Sequence, residues 1–302
     1  MTAVPGRRSG IDRVPAPVLF AVSGFSQYYG AALAVGLFAT LPPLGVAWWR
    51  IAVSAVALLI WRRPWRLRWT ARELGASAVF GIVLAAMNLS FYLAIDHLPL
   101  GTAVAIEFLG PVAVAAVTGS GVRERLGIVL AAVGVMLLAG VTVADGWTTS
   151  VVTGLLAIAA AGAFWAGYIV LGRRIATRRD GITSLSVGMT VGAVVSVPFG
   201  VGSVAAVVSD WRTLLLLVGV ALFSSVLPYA IEQLVLRRVT AAQFAILLAL
   251  LPVSAAILGV LVLGQIPGVL ELVGIALVCV AIALATDREP ASRQPPDPLP
   301  GN

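Results

Sequence analysis

The sequence has little of what a metal-dependent, disulfide-bonded or nucleotide-driven protein needs. Its 302 residues include no lysine, a single cysteine (Cys279) and a single histidine (His97), and only 11% are charged. One cysteine excludes a disulfide or a CxxC pair within the chain, and one histidine excludes a site built from several histidines. No GxxxxGK[ST] motif for nucleotide binding is present either. We therefore expect no metal and no cofactor.

What the chain does contain is apolar. Hydrophobic residues make up 60% of the sequence, and the mean hydropathy is +1.03, which is more apolar surface than one soluble core can hide. Uncharged runs recur at about 20 residues, the length that the core of a bilayer demands. The sequence therefore predicts an all-α membrane protein whose main surroundings are lipid.

Ten apolar runs predict ten transmembrane helices. They are 17–37, 43–61, 74–95, 100–118, 126–143, 151–171, 183–204, 212–230, 240–263 and 267–286. Residues 1–16 before them form a basic tail, and the first run is too long for a cleavable signal peptide. The polar, proline-rich residues 287–302 are expected to be a disordered tail.

The arginines predict the orientation of these spans. All 20 basic residues are arginines, and eighteen of them fall on one side of the ten-span arrangement, whereas a loop on the other side contains only Arg212. By the positive-inside rule, the arginine-rich side is cytoplasmic. We therefore expect a multi-pass protein of the inner or plasma membrane with both termini in the cytoplasm. This placement also gives no reason to expect a nucleic-acid partner.

A weak internal repeat relates the two halves, 17–143 and 151–286. A shift of 141 residues places Pro111 on Pro252, and both prolines are expected to break their helices. Halves of five spans each must insert in opposite senses, because five is an odd number. An inverted repeat lets a central site open to either side, so the pattern favours a transporter of a small molecule over a scaffold, a sensor or an enzyme.

Two charged residues within the predicted spans require an explanation, because a charge at the bilayer centre costs about 2.5–3.5 kcal/mol on insertion scales. Glu107 lies four residues before Pro111, where the backbone is expected to be distorted. Its carboxyl can exchange a proton for a cationic or zwitterionic ligand, or form a structural salt bridge. Arg50 is the expected partner of Glu107 or of a ligand carboxylate, unless it only reaches to the lipid headgroups.

Polar and aromatic side chains on three other spans are candidates for lining a ligand cavity, although such residues also pack helices together. They are Asn88 and Tyr92 on span 3, Gln27 and Tyr28 on span 1, and Trp165 and Tyr168 on span 6. Asn88 and Tyr92 are four residues apart, so they are expected to point the same way. Other ionisable residues are expected to lie at the interface or in solvent, and these are Glu232, Glu271, Asp96 and His97.

Several segments resemble the EamA type of the drug/metabolite transporter superfamily. They read MNLSFYLAIDHLPLGTAVAIEFLGPVAVA from Met87, GAFWAGYIVLGRR from Gly162 and LPYAIEQLVLRRV from Leu227. The most specific motif is Glu-Phe-x-Gly-Pro, which runs here from Glu107 to Pro111. The resemblance is strongest to exporters of threonine and homoserine. It implies ten spans, two EamA repeats and export driven by the proton gradient.

Two positions depart from the pattern of that family. Leu251 stands where the second repeat usually has the Glu of Leu-Glu-Pro, and Gln265 stands where Gly-Glu is usual. If either carboxylate handles protons or substrate, coupling in this chain rests on Glu107 or works differently. Two functions therefore stay open, an exporter of small neutral amino acids or an EamA-type exporter of another metabolite or drug. A homodimer is an open alternative to a monomer.

Overall fold

The computed structural model describes residues 14–118, 122–144, 146–176, 181–236 and 247–285, and these residues form helices with no β-strand among them. Six helices are long and apolar enough to cross a membrane, or seven if one bent pair is a single span, and three shorter apolar helices accompany them. The prediction of an all-α membrane protein is confirmed. Most of the two predicted tails, and the first residues of the ninth run, lie outside the described residues.

The first half of the chain forms helices α1 to α6. Their bounds are α1 Ala16–Leu37, α2 Pro43–Arg62, α3 Ala71–His97, α4 Leu100–Glu107, α5 Leu109–Thr118 and α6 Val122–Thr142. α3 begins at a capping box, in which Thr70 Oγ1 accepts from the Glu73 N–H at 3.2 Å and Glu73 Oε2 accepts from the Thr70 N–H at 2.9 Å. These bonds satisfy N–H groups that have no partner within the helix.

The second half contains eight helices among its described residues. Their bounds are α7 Thr149–Ala176, α8 Gly181–Val195, α9 Val197–Gly200, α10 Val204–Ser209, α11 Trp211–Ala221, α12 Leu227–Leu236, α13 Leu250–Leu263 and α14 Val269–Ala285. The chain bends by 61° between α8 and the following pair α9 and α10. Asp210 caps α11, and hydrogen bonds from the Thr213 hydroxyl and the Arg212 backbone lower the pKa of its carboxyl.

Two helix breaks occur at equivalent places in the two halves. α4 ends at Glu107 and α5 begins after Phe108, three residues before Pro111. α13 begins after Ala249, three residues before Pro252. A proline ring clashes with the carbonyl one turn earlier and removes one N–H donor, which explains an interruption at this distance. The two interruptions are separated by the same 141 residues as the prolines.

Packing between the halves follows a reciprocal pattern. α2 packs against α8, α4 against α13, and α6 against α14. α7, the first helix of the second half, packs against α3 of the first half. Reciprocally, α1, the first helix of the first half, packs against α11 and α12 of the second half. The result is a bundle in which α6 and α14 pair at the periphery, while α1, α2, α3, α7, α8 and α12 surround a central volume.

A π-helical segment, Leu222–Val226, joins α11 to α12. π segments leave the regular hydrogen-bond ladder of an α-helix and often occur at functional sites. Here the segment lies beside α1 and α2, at the wall of the central volume. It therefore brings irregular backbone next to the residues described below.

Candidate functional site

A cavity of about 580 Å³ lies in the centre of the bundle and takes its lining from both halves of the chain. Apolar side chains form most of its wall, and they include Phe80, Met87, Phe91, Leu248 and Leu251. The polar groups among them are Gln27, Tyr28, Arg50, Asn88, Glu107, Trp165, Tyr168, Ser184, Ser224, Tyr229 and Glu232. A largely apolar cavity with a few polar groups is the usual form of a small-molecule site.

The structure brings together seven of the eight candidate binding residues that the sequence indicates. They are Gln27, Tyr28, Arg50, Asn88, Glu107, Trp165 and Tyr168. The eighth, Tyr92, is not part of the lining. Pro111 lines the cavity as well, whereas Pro252 does not. The role of each residue toward a ligand stays a prediction.

Arg50 is held inside the bundle and does not extend to the membrane surface. Its side chain is buried, Nε donates to Ser225 Oγ at 3.0 Å, and Nη2 donates to the Ser224 carbonyl at 2.9 Å. Both acceptors belong to the π segment. A guanidinium has five N–H donors, so others remain for a ligand. Within the part of the chain that the structure describes, no carboxylate lies within 4.0 Å of Arg50.

Glu107 is the other buried charge at the cavity wall. It ends α4 directly before the helix break, and only 7% of its surface is exposed. Among the described residues, no side chain forms a hydrogen bond or an ion pair with its carboxyl. The expected Arg50–Glu107 salt bridge is therefore not formed, because the guanidinium is drawn to the π segment. The two groups still influence each other electrostatically.

Gly30 allows the π segment to approach α1. A Cβ atom built on Gly30 would lie 2.8 Å from the Ser224 backbone nitrogen and would overlap Ser224 Oγ. Only a residue without a side chain permits this contact. Ser224 Oγ is itself buried, beside the hydroxyl of Tyr92. The position of the Arg50 acceptors thus depends on a glycine in another helix.

Asn88 and Tyr92 do not present their side chains to the same space. Asn88 lines the cavity, and its Nδ2 donates to the Leu84 carbonyl of its own helix at 2.8 Å. Tyr92 is fully buried, with the centre of its ring 5.5 Å from Arg50 Cζ and in an edge contact with Phe38, which directly follows α1. A cation over an aromatic face is stabilised by the ring. Tyr92 therefore contacts Arg50 and does not line the cavity.

Glu232 also lines the cavity, although it is not one of the eight binding residues that the sequence predicts. The predicted position at the membrane interface stays a prediction, but the structure shows that Glu232 lines the cavity one turn after Tyr229. The Ser23 hydroxyl of α1 donates to Glu232 Oε1 at 3.3 Å. The spacing of three residues between Tyr229 and Glu232 puts both on one helix face and is the signal that could have found it.

A second group of contacts connects the N-terminal end of α4, the C-terminal end of α13 and the N-terminal end of α14. The Leu100 N–H donates to Gln265 Oε1 at 2.9 Å, so the residue that replaces the usual carboxylate caps α4. Thr102 Oγ1 donates to Glu271 Oε1 at 3.3 Å, and the Gly268 N–H donates to Glu271 Oε2 at 2.8 Å. Glu271 is therefore bonded and half-buried, contrary to the expectation that it is solvated.

The other two ionisable residues lie at the C-terminal end of α3. Asp96 is exposed, as expected, and its carboxylate is 3.9 Å from His97 Nε2. His97 Nδ1 lies 2.9 Å from Ser150 Oγ. Among the residues that the structure describes, no group of three or more His, Cys, Asp or Glu side chains could hold a metal ion.

Known proteins resemble this chain in sequence and in fold. The model of the EamA-like transporter family matches residues 152–286. The threonine/homoserine exporter RhtA of Salmonella typhimurium (strain LT2) is 33% identical over 280 residues, which cover 92% of this chain and 93% of that protein. RhtA of Escherichia coli (strain K12) is 33% identical over 248 residues, which cover 82% and 83%. One protein of known crystal structure, 19% identical, aligns with a TM-score of 0.56 over 89% of this chain and 96% of its own.

Proposed function

We propose a function from one premise, that the chain belongs to the EamA-like transporter family of the drug/metabolite transporter superfamily. It is a multi-pass membrane protein, and its characterised relatives are exporters and not enzymes. A small molecule is therefore the substrate. Our proposal is that this protein exports small neutral amino acids, such as threonine and homoserine, in exchange for protons.

The pair Arg50 and Glu107 carries the proposal. Both are buried at one cavity, and neither forms an ion pair with a described residue. A zwitterionic amino acid supplies the two missing partners, because its carboxylate matches the guanidinium and its ammonium matches the carboxyl. Ser224, whose carbonyl accepts from Arg50, lines the same cavity. A volume of about 580 Å³ also lies within the usual range of small-molecule sites.

The proposed transport cycle uses ten spans arranged as two inverted repeats. The equivalent helix breaks and the reciprocal packing of the two halves support this arrangement. Such repeats let a central site face each side of the membrane in turn. The cavity reaches Gly181 and Glu232, which adjoin the arginine-rich segments 173–179 and 237–238. Under the positive-inside rule this cavity opens to the cytoplasm, and both termini lie there.

An exporter of another metabolite or a drug is the alternative. The cavity wall is largely apolar, and Leu251 adds an apolar side chain where the family usually has a carboxylate. Such a wall favours a larger and less polar compound than threonine. The choice between the two functions depends on whether Arg50 and Glu107 or the apolar wall dominates recognition.

The test is efflux of radiolabelled homoserine and threonine from cells that lack their own exporters, at two values of the proton gradient. We expect faster, gradient-dependent efflux with the protein, and its loss in Glu107→Gln. Asp96→Asn is the matched control, because Asp96 is an exposed carboxyl outside the cavity.

Two results would count against the proposal. Full efflux by a well-expressed Glu107→Gln protein would refute the role of this carboxyl. If the wild-type protein is present in the membrane and leaves efflux of both amino acids unchanged, the metabolite or drug exporter becomes the better function. A resistance screen would then identify the class of compound.

A further inference from the structure

The cavity contains one more carboxyl than a neutral amino acid requires. Arg50 and Glu107 match the two charges of the substrate, which leaves Glu232 at the same cavity without a counterpart. We propose that Glu232 carries the coupling proton, while Glu107 holds the amine of the substrate. This assignment rests on the proposed function and deepens it, because substrate and proton then occupy different residues.

The two carboxyls differ in position and in neighbours. Glu107 ends α4 and has Arg50 as its charged neighbour. Glu232 lies on α12 and accepts a hydrogen bond from Ser23 of α1.

The titratable groups that face Glu232 among the described residues are tyrosines. They are Tyr28 of α1, Tyr168 of α7 and Tyr229 of α12. Tyrosine hydroxyls are neutral near pH 7, so they offer no fixed charge to hold the carboxylate ionised. Glu232 is half-buried, and a carboxyl in such surroundings can bind and release a proton without a salt bridge being broken.

Ser23 connects the protonation of Glu232 to the contact between two helices. Its Oγ lies 3.3 Å from Glu232 Oε1 and 3.4 Å from the Pro228 carbonyl. A hydroxyl has one hydrogen, so it donates to only one of these acceptors at a time. When Glu232 is ionised, Ser23 donates to the carboxylate. When Glu232 is protonated, the carboxyl donates to Ser23 Oγ and Ser23 donates to Pro228.

Each state of Glu232 therefore has its own hydrogen-bond arrangement between α1 and α12. The site lies at the end of the cavity near the arginine-rich segments, so a proton leaving Glu232 reaches cytoplasmic water without passing Arg50 or Glu107. Glu232 releases one proton there and binds one from the opposite side after the substrate leaves. One proton is thus exchanged for one amino acid.

The experiment compares two modes of transport in proteoliposomes with radiolabelled homoserine. The first is exchange of homoserine against homoserine at equal pH on both sides, which requires no net proton movement. The second is accumulation driven by a pH difference of about one unit with the membrane potential held at zero. One proton per substrate supports about tenfold accumulation, because a tenfold ratio and one pH unit are equal in free energy.

We expect Glu232→Gln to keep exchange and to lose the tenfold accumulation, whereas Glu107→Gln loses both. Ser23→Ala should keep both modes but shift the pH at which accumulation is half-maximal, and Asp96→Asn should behave like wild type. Loss of exchange in a folded Glu232→Gln protein would overturn the assignment by making Glu232 part of the substrate site. Unchanged accumulation in that variant would overturn it equally.

A substrate-independent measurement separates failure of this inference from failure of the proposed function. The infrared carboxyl band of the purified protein, followed as pH is varied, should lose one titrating component in Glu232→Gln. If the wild-type protein moves neither amino acid but this component is present, the amino-acid function is refuted and the proton site is retained. If the band is identical in both proteins, the proton site is refuted.

Discussion

Replacing Gly30 by alanine tests whether the π segment must lie close to α1. The new Cβ atom would lie 2.8 Å from the Ser224 backbone nitrogen, whereas non-bonded carbon contacts are most favourable at about 3.5–4.0 Å. The two backbones must therefore separate by roughly 0.7 Å or more. Overpacking of this kind costs about 1–3 kcal/mol. The separation moves the Ser224 carbonyl and Ser225 Oγ, which position Arg50.

The expected functional effect follows from the Arg50 hydrogen bonds. A bond to a charged group contributes about 1.5–3 kcal/mol. If the displaced guanidinium loses this amount in binding the substrate carboxylate, the KM for homoserine rises by roughly 10- to 150-fold. The measurement is homoserine transport as a function of concentration, together with thermal unfolding followed by tryptophan fluorescence.

Gly36→Ala is the matched control on the same helix. A Cβ atom at Gly36 would meet no atom of the described residues within 4 Å, so the variant gains the helix propensity of alanine without the clash. We expect its KM to equal that of wild type and its melting temperature to be the same or higher. A Gly30→Ala protein with the KM and melting temperature of wild type would show that the π segment does not need this contact and that Gly30 does not position the acceptors of Arg50.

Two further substitutions test the cavity and the cap of α4. Arg50→Lys keeps the charge but loses the planar fork of N–H donors, so we expect about a tenfold higher KM for homoserine and normal insertion into the membrane. An unchanged KM would contradict a two-donor contact between Arg50 and the substrate carboxylate. Gln265→Ala removes the acceptor for the Leu100 N–H and should lower the free energy of unfolding by about 0.5–2 kcal/mol. Gln265→Glu keeps an acceptor oxygen at this position, so we expect no such loss. Equal losses of melting temperature in both Gln265 variants would refute the capping role.

The apolar character and the helix breaks of this fold are predictable from the sequence because they depend on local chemistry. Long uncharged runs have few alternatives to spanning a membrane. A proline likewise acts on its own helix, which is why Pro111 and Pro252 predict interruptions that occur one turn before them. Tertiary contacts are not needed for either inference.

The arrangement of the cavity could be predicted only in part, because it depends on contacts between distant segments. The spacing of Asn88 and Tyr92 places them on one helix face, but contacts with Phe38 and Arg50 turn Tyr92 into a support behind the lining. The partners of Arg50 lie 174 and 175 residues away in the chain. Periodicity within one helix contains no information about such partners.

Because of the π segment, the rotation of α12 about its own axis depends on the number of residues in the segment as well as on their type. Successive residues of an α-helix are rotated by about 100°, so one additional residue in a turn rotates everything after it by that angle. Loss of a single residue within Leu222–Val226 would turn Tyr229 and Glu232 away from the cavity without changing either side chain. Relatives that retain both residues but differ by one position in this segment would then present a different set of groups to their substrates.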